Sequence, residues 1–296
     1  MPALPQHLLT CPVCALALQD VGRALACEGG HRFDAARQGY VNLLTGRGSP
    51  FEGDTAGMVE AREAFLGSGH YAPLREAVIA AALRDAEAPA VALDAGAGTG
   101  YYLEGLAAAV PGVVAVALDI SKVALRRAAR RLPGGVSIVW DVWRTLPVAD
   151  ASVDVLLNVF APRNAGEFVR VLVPGGRLVV VTPRPGHLAG LEEVGPLLSV
   201  PPQKADDVRT AFDGALVETG REDLDYTMSL PWDLARSALV MGPAARHPGT
   251  EGTTTATGQG APLEVAARFT VQVLTRPGRP RRDPGRLPVP ADGTDG

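Results

Sequence analysis

The chain is 296 residues long, 47% hydrophobic, and carries a formal net charge of −4 at pH 7. That length holds one full α/β domain plus a small accessory unit, and no apolar run approaches the ~20 residues that span a bilayer. The acidic balance argues against general nucleic-acid coating, so RNA would have to be met through a local basic face or through shape.

The N-terminal Met1-Pro2-Ala3-Leu4-Pro5 has no basic segment followed by an apolar one, so no signal peptide is expected. A cytoplasmic protein without a membrane partner is the expectation. All three cysteines then fall in a short stretch, as Cys11-x2-Cys14-x12-Cys27-x3-His31. Two short-spaced ligand pairs joined by a dozen residues are what a tetrahedral Cys3His zinc site requires. Leu16 to Leu25 can form a hairpin between the pairs. A disulfide is disfavoured in the cytosol and would leave one thiol over. His7 is a rival fourth ligand, but it lies outside the knuckle, so His31 is preferred. A module this small has little core of its own, and metal binding supplies much of its folding energy. Four protein ligands leave no position for a catalytic water, so its role is structural or recognitional.

Gly46 to Gly53 reads as a polar linker. Gly53 to Leu66 reads as a helix capped by Asp54 or Thr55, with an apolar stripe of Met58, Ala61, Phe65 and Leu66. A second helix, Leu74 to Leu83, leads into the stretch Val91-Ala92-Leu93-Asp94-Ala95-Gly96-Ala97-Gly98-Thr99-Gly100-Tyr101. This is a buried strand, a glycine-rich turn with Gly98 and Thr99 at its tip, and the start of a helix. Glycine there permits tight or positive-φ backbone and close ligand approach, and the helix start offers free N–H groups. Dinucleotide folds share that geometry. The acid Asp94, however, would repel a pyrophosphate and suits a ligand carrying an amine and a sulfonium. Asp-x-Gly-x-Gly-x-Gly resembles the first motif of class I S-adenosylmethionine-dependent methyltransferases. The resemblance implies an α/β, Rossmann-like fold with a mostly parallel sheet. S-adenosylmethionine would lie across Gly96, Gly98, Thr99 and Gly100.

Strand Val113 to Leu118 ends in Asp119, placed to hydrogen-bond a ribose diol. Ser121 caps the next helix, whose Arg126, Arg127, Arg130 and Arg131 make either a local basic face or a solvated one. Strand Val136 to Trp140 ends in Asp141, where such enzymes commonly meet the adenine amino group. Strand Ser152 to Asn158 is followed by the loop Asn158 to Asn164, beside the cofactor crevice. Helix Ala165 to Leu172, strand Arg177 to Thr182 and the loop Thr182 to Leu188 come next. Phe212 to Tyr226 suits a helix-poor turn and strand, Pro231 to Val240 a helix, and Val265 to Leu274 a last strand. Arg246 to Ala261 reads as a mobile loop, and Arg276 to Gly296 as a disordered tail. The divisions expected are 1–46 for the zinc module, 47–88 for linker and helices, 89–275 for the methyltransferase domain, and 276–296 for the tail.

The zinc spacing, Phe33-Asp34, Gly39-Tyr40-Val41-Asn42-Leu43-Leu44, Gly53-Asp54, Met58, Ala61-Arg62, Phe65-Leu66 and Gly69-His70-Tyr71 follow one another as in one family. From about Cys11 to about Pro185 the chain resembles the 23S ribosomal RNA (guanine-N1)-methyltransferases with an N-terminal zinc module. Asp141-Val142-Trp143, Asn158 to Asn164 and Met241-Gly242-Pro243 look like the branch linked to resistance against tylosin-type macrolides. The resemblance implies two further cofactor contacts, Tyr71 and His187. It also implies methylation of one of two neighbouring guanines in hairpin 35 of 23S rRNA, and a homodimer; the zinc module is expected to grip that hairpin. Methylation of guanine N1 requires loss of its proton, and no residue stands out as the base. Asp141 is committed to adenine, while His187 titrates in a useful range. Asn158 or the Pro162 carbonyl could meet the base's Watson–Crick edge. The alternatives are a small-molecule methyltransferase and a non-catalytic zinc-stabilised RNA-binding protein.

Overall fold

The computed structural model describes residues 5–46, 48–84, 88–197, 199–201, 203–242 and 260–278. Most of the Gly/Thr-rich segment expected to be a mobile loop, and the tail from residue 279 onward, lie outside the described residues.

Short runs of valine, leucine and alanine form the centre of the fold, because strands covered on both faces need apolar residues at every position. In β5 (Val91–Ala95) all five residues are buried. Beside it lie β6 (Val114–Asp119), β7 (Val136–Val139), β8 (Val153–Val159) and β9 (Leu172–Pro183), all parallel. The long antiparallel pair β10 (Val217–Leu230) and β11 (Leu263–Thr275) completes one side, with β11 also antiparallel to β9. At the other edge stands β4 (Tyr40–Asn42), giving the order β10-β11-β9-β8-β5-β6-β7-β4. The chain runs outward from β5 through β6 to β7, then returns to β8 on the opposite side of β5. That reversal opens a crevice at the carboxyl ends of β5 and β8, the usual ligand position in such sheets.

Seven helices connect these strands among the described residues. They are α1 (Ala56–Gly67), α2 (Ala72–Leu83), α3 (Tyr101–Ala109), α4 (Lys122–Arg131), α5 (Ala165–Val171), α6 (Lys204–Ala211) and α7 (Trp232–Val240). Thr55 caps α1 and Ser121 caps α4, each accepting an N–H from three residues on. Phe65, Val78, Leu106 and Leu239 belong to the core on one face of the sheet. On the other face, Phe168, Val208 and Phe212 cover one half.

The zinc module covers the rest of that second face. It is a three-stranded antiparallel sheet of β1 (Gln19–Asp20), β2 (Ala24–Ala26) and β3 (Arg32–Asp34), so the expected hairpin forms. Leu8, Leu9, Leu18 and Leu25 share a core with Val116, Leu118, Val136 and Ile138. The Ala149 N–H donates to Leu8 O at 2.9 Å and the Thr10 N–H to Pro147 O at 3.1 Å, stitching the module to the large domain.

Three features differ from the sequence reading. Tyr40-Val41-Asn42 is a strand that pairs parallel with Ser137, Ile138 and Val139; three residues are too few for an alternating pattern to register. α6 lies just before the region read as helix-poor, and only Ala205 and Val208 mark its buried side. β9 begins at Leu172, ahead of the expected Arg177, because Pro174-Gly175-Gly176 lies within the extended backbone and is accommodated by a register shift against β8. No helix among the described residues is long and apolar enough to cross a membrane.

Candidate active site and metal centre

The Cys11, Cys14 and Cys27 sulfurs and a ring nitrogen of His31 lie within 4.8 Å of one another. Cys14 Sγ and Cys27 Sγ are 3.6 Å apart, close to the separation of two thiolates each ~2.3 Å from one tetrahedral ion. Each knuckle is a tight turn: the Ala15 N–H donates to Cys11 O at 2.8 Å and the Gly30 N–H to Cys27 O at 3.0 Å. A Cβ on Gly29 would meet Cys14 Sγ at 3.1 Å, so a side chain there would crowd the thiol cluster. Burial pushes the Cys27 thiol up, but the His31 main chain and ring and the neighbouring thiols draw it down to about 6, favouring the metal-binding thiolate. The donor set suits zinc, with all four positions filled by protein. His7 is exposed and stands outside the cluster.

At the crevice between β5 and β8 lies a cavity of about 740 Å³. Its floor is the glycine turn from Gly96 to Thr99, while Gly100, the cap of α3, stands outside the lining; Gly96, Gly98 and Gly100 have φ of +92°, +53° and +80°. Two of these glycines answer to protein neighbours. A Cβ on Gly96 would stand 2.3 Å from Ala161 Cβ, and one on Gly100 would stand 3.1 Å from Ala128. The Gly98 N–H donates to Asp119 Oδ2 at 2.8 Å, and Ser121 N–H to Asp119 Oδ1 at 2.7 Å. Burial raises the Asp119 carboxyl, and those two donors pull it back.

Asp94 is 1% exposed, and its Oδ1 has no hydrogen-bond partner among the described residues. Burial, reinforced by Asp119, pushes its carboxyl up to about 8. Thr99 Oγ1, Tyr102 OH, Trp140 Nε1 and Thr182 Oγ1 are likewise buried and unpartnered, and all five residues line the cavity. Buried polar atoms left without partners cost stability unless a ligand meets them. A carboxylate flanked by hydroxyls and an indole N–H fits a ligand with an amine, a sulfonium and a hydroxylated sugar.

Asp141 also lines the cavity; it accepts Ser49 Oγ–H at 2.8 Å and Trp143 N–H at 3.0 Å. Tyr71 OH and His187 Nε2 are 3.2 Å apart. The Arg268 N–H donates to His187 Nδ1 at 3.3 Å, which leaves the ring proton on Nε2, directed at Tyr71. Burial, then the charge of Lys204, lowers His187 to about 4. His187 is therefore a neutral, fixed ring, and the expectation that it titrates in a useful range is corrected. Asn158 is also corrected as a contact to the base edge. It is fully buried, and its Nδ2 donates to Ala95 O and Pro162 O, each at 3.0 Å, so side chain and carbonyl hold each other.

Of the arginines on α4, Arg131 pairs with Glu63 and Glu104 at 3.0 Å each, while Arg126 and Arg130 face solvent. Three groups are given no site role by the sequence reading. Arg62 bonds Asp54 and donates to Met241 O at 2.8 Å, tying α1 to the end of α7 over the cavity. Arg163 and Lys204 line the cavity and make no ion pair among the described residues; burial lowers both, and Arg163 lowers Lys204 further. Phe51, Trp143 and Phe160 are exposed aromatics on the same cavity. No spacing rule links residues so far apart in the chain.

Comparison with known proteins agrees with this geometry. Residues 9–46 match the zinc-ribbon family model described as "RlmA, N-terminal", and residues 92–176 match the model described as "Methyltransferase domain". A Micromonospora griseorubida protein assigned to the 23S rRNA (guanine-N1)-methyltransferases is 47% identical over 268 residues, 83% of this chain and 89% of that one. The 23S rRNA (guanine(748)-N(1))-methyltransferase of Streptomyces fradiae is 45% identical over 241 residues, 81% of this chain and 86% of that one. A Bacillus subtilis protein assigned to the same activity is 32% identical over 194 residues, 63% of this chain and 68% of that one. The methyltransferase domain implies S-adenosylmethionine, and the ribbon implies zinc.

Proposed function

The chain belongs to the 23S rRNA (guanine-N1)-methyltransferases, and from that premise we propose that its target is a guanine in hairpin 35 of 23S rRNA, at the position the Streptomyces fradiae relative's name numbers 748. Methylation there confers resistance to tylosin-type macrolides in this reading, because a methyl on N1 removes a hydrogen-bonding N–H and adds bulk in the wall of the exit tunnel. The reaction takes place in the cytoplasm, where the rRNA is made.

One observation carries the reading: the zinc ribbon is packed into the same core as the sheet whose carboxyl edge forms the cavity. In this reading the module that grips the RNA and the cavity that receives cofactor and base belong to one body. The guanine's Watson–Crick edge is hidden in paired RNA, so the base must be unpaired or extruded to enter.

S-adenosylmethionine supplies an electrophilic methyl when bound. Asp94, protonated in the empty site, would ionise where the cofactor's cationic end meets it, and Asp119 keeps lone pairs for the ribose hydroxyls. Asp141 and the Trp140 indole serve the adenine end, and the Tyr71–His187 pair closes the far side. Arg163 and Lys204 favour release of the N1 proton to water by offering positive charge to guanine O6 as negative charge develops there. Arg62 holds α1 and α7 together and limits water in the cavity.

The test is primer extension through hairpin 35 on 23S rRNA incubated with zinc-loaded protein and S-adenosylmethionine. An N1-methyl blocks pairing and stops reverse transcriptase, so a single new stop at the target guanine is the expected result. No stop, with cofactor bound, would reject the RNA target and return the chain to small-molecule methylation.

A further inference from the structure

We infer that Phe160 is the stacking platform for the target guanine, its ring held toward the cavity by a loop that overrides its backbone preference. The inference rests on the functional reading above and extends it to a residue.

Phe160 has φ of +54°, in the left-handed region that bulky residues rarely occupy. The side chain does not recover that cost by burial, since it is 44% exposed. Strain of this kind persists only where the surroundings impose it, and here three contacts do. Asn158 Nδ2 clamps the loop to Ala95 O at the end of β5 and to Pro162 O across its own turn, each at 3.0 Å. The Phe160 N–H donates to Val181 O at 3.3 Å. Ala161 sits so close to Gly96 that a Cβ there would approach to 2.3 Å. The loop is thereby pinned over the glycine turn, and the ring it presents lines the cavity. Buried Phe269 lies behind it, with ring centroids 5.7 Å apart at 44°.

Position selects the occupant. Trp143 and Phe51 lie at the Asp141 end, where Asp141 binds the Trp143 N–H and Ser49. Phe160 instead follows β8, in the same loop as Arg163. An extruded base loses its stacking neighbours, and an exposed flat ring beside the methyl donor restores part of that energy.

The test compares Phe160→Gly and Phe160→Tyr with the wild type, all full-length and zinc-loaded. Three quantities are read: Tm, cofactor affinity by calorimetry, and single-turnover methylation of a hairpin RNA. Glycine relieves the positive φ, so the Tm of Phe160→Gly is expected to hold or rise by about 2 °C. Its cofactor affinity stays within about threefold, while methylation falls about 10- to 100-fold, the scale of one lost base–aromatic stack. Phe160→Tyr keeps methylation near the wild-type rate. Undiminished methylation in Phe160→Gly overturns the inference, as does a parallel fall of Tm and cofactor affinity, which would make Phe160 a packing or cofactor residue. If the wild type leaves no mark on the RNA, the functional reading fails first and takes this inference with it.

Discussion

The four candidate metal ligands all fall between Cys11 and His31, whereas the cavity is lined by residues from Phe51 to Gly242. In the ribbon, chemistry follows from which side chains stand a few residues apart, and the ion completes the structure. In the cavity, chemistry follows from backbone conformation and from groups that only the folded sheet brings together. The two regions nevertheless share one core, in which Leu9, Leu18 and Leu25 pack against Val116 and Ile138. None of the ribbon's described residues lines the cavity, whose lining begins at Phe51. Mechanical coupling with chemical separation is the lesson of that contrast, and it can be broken from either side.

The largest effect is expected at the ribbon. Structural zinc is worth ~10–16 kcal/mol in small zinc-finger peptides, comparable to the ~5–15 kcal/mol that holds a whole domain folded. Cys27→Ser should abolish stoichiometric zinc and lower Tm by roughly 10 °C as the shared face is uncovered, read by metal analysis and calorimetry. A Tm unchanged in the zinc-free variant would mean that the common core, without metal, suffices.

Next in size is Asp94. Loss of a charge-assisted hydrogen bond predicts that Asp94→Asn weakens cofactor binding about 10- to 100-fold. The pH dependence sharpens this. Because the free protein holds the carboxyl protonated up to about 8, wild-type cofactor affinity should improve as pH rises from 6 to 8 and then level off, whereas Asp94→Asn should be flat. The stability linkage has the opposite sign. Between the ordinary carboxylate range and about 8 the unfolded chain has released a proton that the native chain keeps. Cofactor-free wild type therefore loses stability as pH rises through that window, and Asp94→Asn does not.

A smaller, local break is Gly96→Ala, which drives a methyl into Ala161 at a position of φ +92°. It should lower methylation about tenfold by shifting the 158–164 loop. Adding Ala161→Gly should restore part of the loss by making room, though not the part due to the positive φ. Equal activity in the single and double variants would show that the clash is absorbed elsewhere. The smallest effect is at His187. At saturating cofactor, a ring held neutral down to about 4 adds no inflection of its own to the methylation rate between pH 5.5 and 7.5, and an inflection that disappears in His187→Gln would contradict that.

The same contrast explains what was legible in the sequence. Cys11, Cys14, Cys27 and His31 could be read directly because tetrahedral ligation demands local spacing. Asp94, the three glycines and Asp119 were readable because a strand, a tight turn and the next strand's end are contiguous or periodic. The central parallel strands registered as apolar runs. β4 did not, since its three residues gain meaning only beside β7. Gly96 and Gly100 were anticipated as ligand-facing, yet their neighbours are Ala161 and Ala128, a tertiary reason invisible in one dimension. Arg62, Arg163 and Lys204 come from three separate segments, and Phe160 is distinguished only by a torsion angle.

The most direct test of chemical separation is a paired measurement on one sample of Cys14→Ser. Cofactor affinity would be measured by calorimetry, and N1-methylation of 23S rRNA by primer extension. The account predicts cofactor binding within about threefold of wild type together with loss of the reverse-transcriptase stop. Undiminished methylation would remove the ribbon from RNA recognition. Loss of cofactor binding in step with methylation would show that the ribbon acts by holding the cavity itself together.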